Sequence, residues 1–521
     1  MSSPPRRPTA PAHAGSPGGR EVELKLVLDP ADLPKLKQHP LLSGTRPSTT
    51  RLQATYFDTS DLRLAKHDLT LRVRRSGRKH VQTVKSGSMR QIGLFDRDES
   101  EQPVAEAAPN PELIGDADLR RAVGGVLKER PLRAIFGTEV RRTRWRLGRA
   151  DDRVAVEVDL DVGHMTVGRT EAPICEIELE LKRGRPRDLI RLARDLGRAI
   201  PLRLDVASKA ARGFALYRGE ADEIRRAEAI DLDREARLGE AALAALRECL
   251  AHVADNQRMV LSGRDVEGVH QMRVGLRRLR AALGLFRHQF RTSARDELAS
   301  ELRWLAGALA PARAWDVFLA EQLPPVAAAM TGEAELRAIE RAAGSLREAA
   351  YAEARAAIGS SRFLNLMLST RLWLAEPPWA EDAGIDRRAR DVAADILERR
   401  HRKNRRLAKE AEKLGEPELH ALRLRLKKLR YAAEFFAPLF SERRVNIYVK
   451  AIGRPQQSLG HLNDARTLKA LLDPLAARVE ADAGAKAIGA IAGFHAGRTE
   501  ALLAGARAEL REFSAVRPFW S

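Results

Sequence analysis

The sequence predicts an α+β chain of two domains: an eight-stranded antiparallel β-tunnel with flanking helices, then an all-α domain made of a duplicated helical bundle. Three observations predict it. Short runs between Glu21 and Leu181 alternate apolar and charged residues with period two, the pattern of strands with one charged face. Beyond about Arg234 almost every stretch has helical period and is rich in Ala, Leu, Arg and Glu. Within that second half, two segments recur at a constant offset of 150 residues, the mark of an internal duplication.

At 521 residues the chain can build two full-sized cores. The 91 Lys and Arg exceed the 71 Asp and Glu, leaving a formal charge of +20, so a polyanionic partner is expected. Aromatics are only 5%, which argues against single-stranded nucleic acid, a ligand that leans on stacking platforms. Cys175 and Cys249 form no ligand or disulfide pattern, as expected of a reducing, cytoplasmic compartment. No apolar run approaches the ~20 residues that cross a bilayer. The first 19 residues, rich in Pro, Ser, Ala and Gly, are expected to be a disordered leader. A tunnel domain over 20–218, a linker over 219–235 and a helical domain over 236–521, with repeats at about 236–375 and 385–518, complete the expected organisation.

The first strand, 21–26, puts Glu21, Glu23 and Lys25 on one face and Val22, Leu24 and Leu26 on the other. A short helix over 30–39 follows, then strands at 51–58, 69–75, 80–85 and 95–101, and a helical interval over 111–129. Strands resume at 138–147, 153–161 and 174–181, before a helix over 186–198. A solvated face would give the same alternation. Here, however, the signs separate by strand: Arg142, Arg144 and Arg146 share one face, and Glu176, Glu178 and Glu180 share another. A closed eight-stranded barrel gives such rows a purpose, because its lumen is wide enough for one small ligand.

Read in order, Glu21-x-Glu23-x-Lys25, Tyr56-Phe57-Asp58-Thr59, Leu71-Arg72-x-Arg74, Arg97-x-Glu99-x-Glu101, Asp161-x-Gly163, Glu176-x-Glu178-x-Glu180 and Ser208-Lys209-x-x-Arg212-Gly213 resemble the CYTH, or triphosphate tunnel metalloenzyme, family. The resemblance implies a tunnel that binds a triphosphate chain with Mg²⁺ or Mn²⁺. It implies a phosphate wall of Arg72, Arg74, Lys85, Arg97, Arg142, Arg144 and Lys209, with Lys25 beside them; guanidinium forks and ammonium groups suit that task. Glu21, Glu23, Glu178 and Glu180 would hold the hard cation, with Glu176 and Asp161 as further ligands. Glu21, Glu23 and Lys25 are the expected catalytic group. Whether a second metal or a carboxylate of the first strand activates the attacking water stays open.

In the second half, His270, Arg273, Arg277 and Arg280 fall within about an 80° arc of one helix. Met272, Leu276, Leu279, Leu283 and Phe286 lie opposite. His420, Arg423, Lys427 and Arg430 repeat the stripe 150 residues on. Like charges at these spacings repel unless a polyanion or facing acids compensate. The pattern resembles the CHAD domain, a histidine-bearing helical domain. That resemblance implies two pseudo-symmetric bundles whose basic faces bind inorganic polyphosphate, and the run 399–406 adds to that surface. The first repeat carries Ala314 where the second has Asp464, and Asp316 is the expected substitute.

The expected function is metal-dependent hydrolysis of tripolyphosphate to pyrophosphate and phosphate, with polyphosphate held by the basic helices and association with polyphosphate granules. Its rivals are a non-catalytic polyphosphate-binding protein, a class IV-type adenylate cyclase, and a nucleoside or thiamine triphosphatase. Nucleic acid is a weaker partner, and the sequence leaves oligomeric state open.

Overall fold

A computed structural model describes residues 20–87, 94–148, 152–220, 224–288, 292–329, 333–377, 383–479 and 481–520. The expected leader over 1–19 lies outside them. The chain divides into two units. One holds 1–223 with 359–372, the other 224–358 with 373–521.

In the first unit, β1 (Arg20–Leu28), β2 (Ser48–Asp58), β3 (Leu69–Ser76), β4 (Lys79–Ser86), β5 (Leu94–Val104), β6 (Arg133–Leu147), β7 (Ala155–Val167) and β8 (Thr170–Arg183) form one antiparallel sheet. The order runs β5-β4-β3-β2-β6-β7-β8-β1, and β1 pairs back with β5 to close the barrel. A ninth strand, β9 (Leu202–Leu204), extends the edge of β1 beyond β5. All eight strands expected from alternation are present, most of them longer than their period-two cores.

The barrel is inverted relative to a soluble sandwich: apolar side chains face outward and charged ones inward. Leu24, Leu26, Ile177 and Leu179 are fully buried on the outer face. Beside them the Pro186–Ala199 helix buries Leu189, Ile190, Ala193 and Leu196. On the β3–β4 side, Leu69, Leu71 and Val84 join Leu119, Val123 and Leu127 of the Ala117–Leu127 helix in one cluster. Each such side chain contributes about 1.5–3 kcal/mol by leaving water. These helical covers are what allow the other face to be polar.

The expected 30–39 helix ends early, at Lys37, because His39 starts a second helix by accepting from Leu41 N. The 111–129 interval likewise has two starts. Asn110 caps a short 3₁₀ turn, and Asp116 caps the Ala117–Leu127 helix by accepting from Asp118 N and Leu119 N.

The start of the Lys209–Arg218 helix reaches the lumen with Lys209 and Ala210. The Lys209–Arg218 helix lays Ala210 and Phe214 against Tyr56 and Phe136. Tyr56 stacks on Phe136 at 4.3 Å, and Phe136 meets Phe214 edge-on at 5.2 Å. Gly213 permits this approach, since a Cβ there would lie 2.1 Å from the Phe136 ring.

Residues 359–372 join this unit. Ser361 Oγ donates to Gly197 O at 2.6 Å, and Leu364 sits where a Gly197 Cβ would stand.

The second unit is helical and shows the duplication. Leu238–Asp255, Val266–Leu285, a broken run from Ser293 to Ala329, and Glu333–Gly359 make the first set. Ala389–Lys409, Glu416–Phe435, Glu442–Ala476 and Ala481–Ser514 make the second. Met272, Leu276, Leu279, Leu283 and Phe286 are all buried, as the opposite-face pattern required. Among the described residues no helix is long and apolar enough to cross a membrane.

Candidate active site and basic cluster

Inside the barrel lies a cavity of about 190 Å³. Nine cationic and eight carboxylate side chains line it, placed there by alternation along each strand. Cross-strand register decides which of them meet. Glu21 lies opposite Arg97, Glu23 opposite Glu180, and Lys25 opposite Glu178. On the far side of β8, Glu157 faces Glu180 and Asp159 faces Glu178. Arg142 and Arg144 of β6 stand opposite Asp161 and Asp159.

Most tunnel cations have acid partners. Arg142 reaches Asp159, Asp161 and Glu178, each at 2.6 Å. Arg144 bonds Asp159 at 2.6 Å and Glu157 at 3.1 Å. Lys25 pairs with Glu178 and, at 3.1 Å, with Glu23; Arg97 pairs with Glu23. Lys85 pairs with Glu21 and, at 3.2 Å, with Glu99. Burial alone would push the Glu178 carboxyl up, but Lys209, Lys25 and Arg142 outweigh it and hold the carboxyl well below its usual range. The same attraction raises Lys209, Arg142 and Lys85 above their ordinary values against the pull of burial.

Arg72 is different. Its guanidinium lines the cavity, yet among the described residues it forms no ion pair; its polar contact is the Tyr56 hydroxyl at 3.5 Å, and its Nε is buried without a partner. Burial disfavours its charge, and Tyr56, Glu99 and Glu101 nearby more than restore it.

Three acids, Asp161, Glu176 and Glu178, offer oxygens within 4.8 Å of one another. The Lys209 ammonium already sits among them, at 2.7, 2.5 and 3.0 Å, and Arg212 holds the other Glu176 oxygen. That triad is charge-satisfied. Glu180 pairs with the partly exposed Lys182, but carboxylates face it from both neighbouring strands, an unfavourable cross-strand arrangement. Burial first and then Glu21 raise its pKa, with Lys182 only partly offsetting them. Glu21 and Glu23, by contrast, have Lys85, Arg97 and Lys25 as partners.

In the second unit, Arg277 Nε donates to the Tyr431 hydroxyl at 2.6 Å, tying the two duplicated helices together. Arg273 Nη1 donates to Ala306 O at 2.8 Å. Burial, then Arg277 and Arg313, press the Arg273 pKa down to about 10. Burial, then Arg277 and Arg423, press Lys427 down to about 7, with Asp464 opposing. His270 is also lowered, by burial and by Arg313. These groups share one cation-rich cluster.

Residues 19–214 match the family model of the CYTH domain, and residues 244–473 match that of the CHAD domain. This is a CYTH–CHAD chain. It is 32% identical over 207 residues to an inorganic triphosphatase of Haemophilus influenzae, a match covering 38% of this chain and 55% of that protein. The chain thus spans about half the length of that relative. The crystal structure of the CHAD domain from the plant Ricinus communis is also similar. It is 30% identical with a TM-score of 0.50, and the match covers 57% of this chain and 99% of that one.

Of the residues expected in the CYTH tunnel, Glu21, Glu23, Lys25, Arg72, Arg74, Lys85, Arg97, Arg142, Arg144, Glu178, Glu180 and Lys209 line the cavity. Asp161 and Glu176 lie outside the lining, with no side-chain exposure, against Lys209. For Glu157 and Asp159 the sequence left metal ligation and ion pairing both open, and here they serve as counterions to Arg142, Arg144 and Arg146. It quoted Tyr56 and Ser208 within motifs without giving them a role, and it missed Lys182; alternation could have found Lys182, two residues beyond Glu180.

In the CHAD unit, Arg273, Arg277, Arg423 and Lys427 converge, joined by Arg313, which the stripe pattern did not contain. Arg430 is instead tied to Glu434 at 2.8 Å, and Arg280 has Arg303 as its electrostatic neighbour. His420 is half-buried on its helix. Asp316 does not stand in for Asp464: it is buried and accepts from Arg347 Nε at 2.7 Å and the Tyr351 hydroxyl at 2.8 Å. Within the 399–406 run, His401 and Asn404 point into the core, and His401 bonds the Tyr448 hydroxyl at 2.8 Å.

Proposed function

We propose that the CYTH tunnel hydrolyses inorganic triphosphate with a divalent metal, Mg²⁺ or Mn²⁺, and that the CHAD unit binds inorganic polyphosphate. The observation that carries the reading is the lining itself, nine cations and eight carboxylates in one cavity. Cations alone would suit simple anion binding. A nearly balanced wall cannot neutralise a chain of phosphates by itself, so metal ions must enter with the substrate.

In this reading Arg72, which forms no ion pair among the described residues, is the ready contact for a phosphoryl group. Lys85, Arg97, Arg142 and Arg144 exchange carboxylate for phosphate oxygens as substrate enters. Glu21, Glu23 and Glu180, with Glu178, would hold the metal, which would supply positive charge against the phosphates. Lys209 keeps Glu178 ionised and fixed. Water attacks the terminal phosphorus, the bridging P–O bond breaks, and phosphate and pyrophosphate leave; a β1 carboxylate, Glu21 or Glu23, takes the proton. Two free cysteines accord with a reducing, cytoplasmic setting.

The test is phosphate release from tripolyphosphate, ATP, thiamine triphosphate and long polyphosphate, with Mg²⁺ and with Mn²⁺. Tripolyphosphate should be turned over fastest, and Glu21→Gln with Glu23→Gln should lower the rate about 10³-fold. Wild type that binds tripolyphosphate without metal-dependent release would leave a gripping protein instead of an enzyme.

A further inference from the structure

Two buried threonines of the CYTH unit have fixed partners. Thr59 Oγ1 donates to Asp61 at 2.7 Å, and Thr83, in the cavity lining, donates to Glu101 at 3.0 Å. Thr70 departs from this. It is 7% exposed and lines the cavity from the same face of β3 as Arg72 and Arg74. Among the described residues its hydroxyl has no hydrogen-bond partner. A buried polar group left in that state is unfavourable, so its place in the lumen calls for a ligand.

A second feature of the same cavity is the start of the Lys209–Arg218 helix, which brings Ser208, Lys209 and Ala210 into the lining. Ser208 caps the helix by accepting from Ala211 N, and its hydroxyl proton is still free to be given. The N–H groups of the first turn point along the axis without partners in the helix itself. No acid stands in that turn, so no side chain of the helix offsets the positive end of its dipole. Arg72 links the two features. It lies two residues, roughly 6.6 Å, from Thr70 along the strand, and it touches the Tyr56 hydroxyl at 3.5 Å. Tyr56 in turn packs in one cluster with Ala210 of the helix start. By contrast Lys85, Arg97, Arg142 and Arg144 must each release a carboxylate before they take a phosphate oxygen.

We infer that Thr70, Tyr56, Arg72 and the N-terminus of the Lys209–Arg218 helix form an anchor for one phosphoryl group, a subsite that fills without a metal ion and without opening an ion pair. For its ligand this rests on the triphosphate reading above. The hydroxyls select the kind of group, because each can donate to a phosphoryl oxygen or accept from a P–OH. That suits the end group of an inorganic chain, which can carry a proton, and orthophosphate itself. The helix amides and the guanidinium add donors and positive potential. One group seated here needs no further cation, whereas the rest of a chain lies against the paired wall and does.

The experiment uses the full chain and inorganic phosphate as the probe. Calorimetry in the presence of a chelator compares wild type with Thr70→Val and Thr70→Ser. The cations of the CHAD unit are the same in all three, so any difference belongs to the tunnel. Thr70→Val should weaken phosphate binding in the tunnel about tenfold, the loss of one hydrogen bond to a charged group, and Thr70→Ser, which keeps the hydroxyl, should restore it. Inorganic phosphate should also compete with tripolyphosphate in the hydrolysis assay. Its inhibition constant should rise about tenfold in Thr70→Val and stay constant as Mg²⁺ is varied. Equal phosphate affinity in wild type and Thr70→Val under chelation, or tunnel binding seen only with Mg²⁺, would overturn the anchor and leave a metal-dependent triphosphatase standing. Thr70-dependent phosphate binding in a chain that does not hydrolyse tripolyphosphate would keep the anchor and remove the triphosphatase.

Discussion

The tunnel and the CHAD cluster both concentrate cations, but their electrostatics run in opposite directions. In the tunnel Lys209, Arg142 and Lys85 are raised because carboxylates surround them. In the cluster Lys427, Arg273 and Arg423 are lowered by burial and by one another. A site meant to hold metal and phosphate together needs both signs at close range. A site meant only to hold phosphate can leave its cations uncompensated, at a cost that the ligand repays. On the function proposed above, the contrast accounts for a tunnel that is internally bonded and a cluster whose cations repel one another.

Arg142 gives the strongest way to break the comparison. Arg142→Met leaves Asp159, Asp161 and Glu178 without a shared partner, and thermal or urea unfolding should show a loss of about 3–5 kcal/mol. Arg72→Gln should do the reverse: stability within about 1 kcal/mol of wild type, since no ion pair is lost, but kcat/KM for tripolyphosphate down about 10–100-fold. If both variants lost stability equally, Arg72 would be one more structural pair.

The smallest effect is a pH dependence. Lys427 has its pKa near 7 and is faced by Arg277 and Arg273 from one helix, Arg423 on its own, and Asp464 from a third. A polyanion favours the charged amine, so the bound pKa is higher and binding takes up a proton above pH 7. Polyphosphate affinity should therefore be greatest below pH 7 and fall severalfold by pH 9, with proton uptake visible by calorimetry in buffers of different ionisation heat. Lys427→Arg should flatten that profile. A flat profile in wild type would mean that Lys427 does not meet the ligand.

Much of this was legible in the sequence. Period-two alternation exposes the eight barrel strands, though not the three-residue β9, and the separation of signs by strand points to a lumen instead of a wetted face before any register is known. The apolar backs of the duplicated helices were legible for the same reason, since one face must be buried. Other features depend on convergence across elements. That Lys209 would fill the acid triad is set by how the Lys209–Arg218 helix enters the barrel, and spacing along one strand carries no trace of it. Arg313 joins the CHAD cluster from a different helix, outside any stripe. Asp316 looked like a replacement for Asp464 by nearness in sequence, but a two-residue shift on a helix turns a side chain by about 200°, here into the core toward Arg347 and Tyr351.

The Tyr56–Phe136–Phe214 stack also decides where a guanidinium rests. Tyr56 is held flat against Phe136, and its hydroxyl, turned to the lumen, is the polar contact of Arg72 at 3.5 Å. Aromatic packing outside the cavity thus sets the aim of a cation inside it.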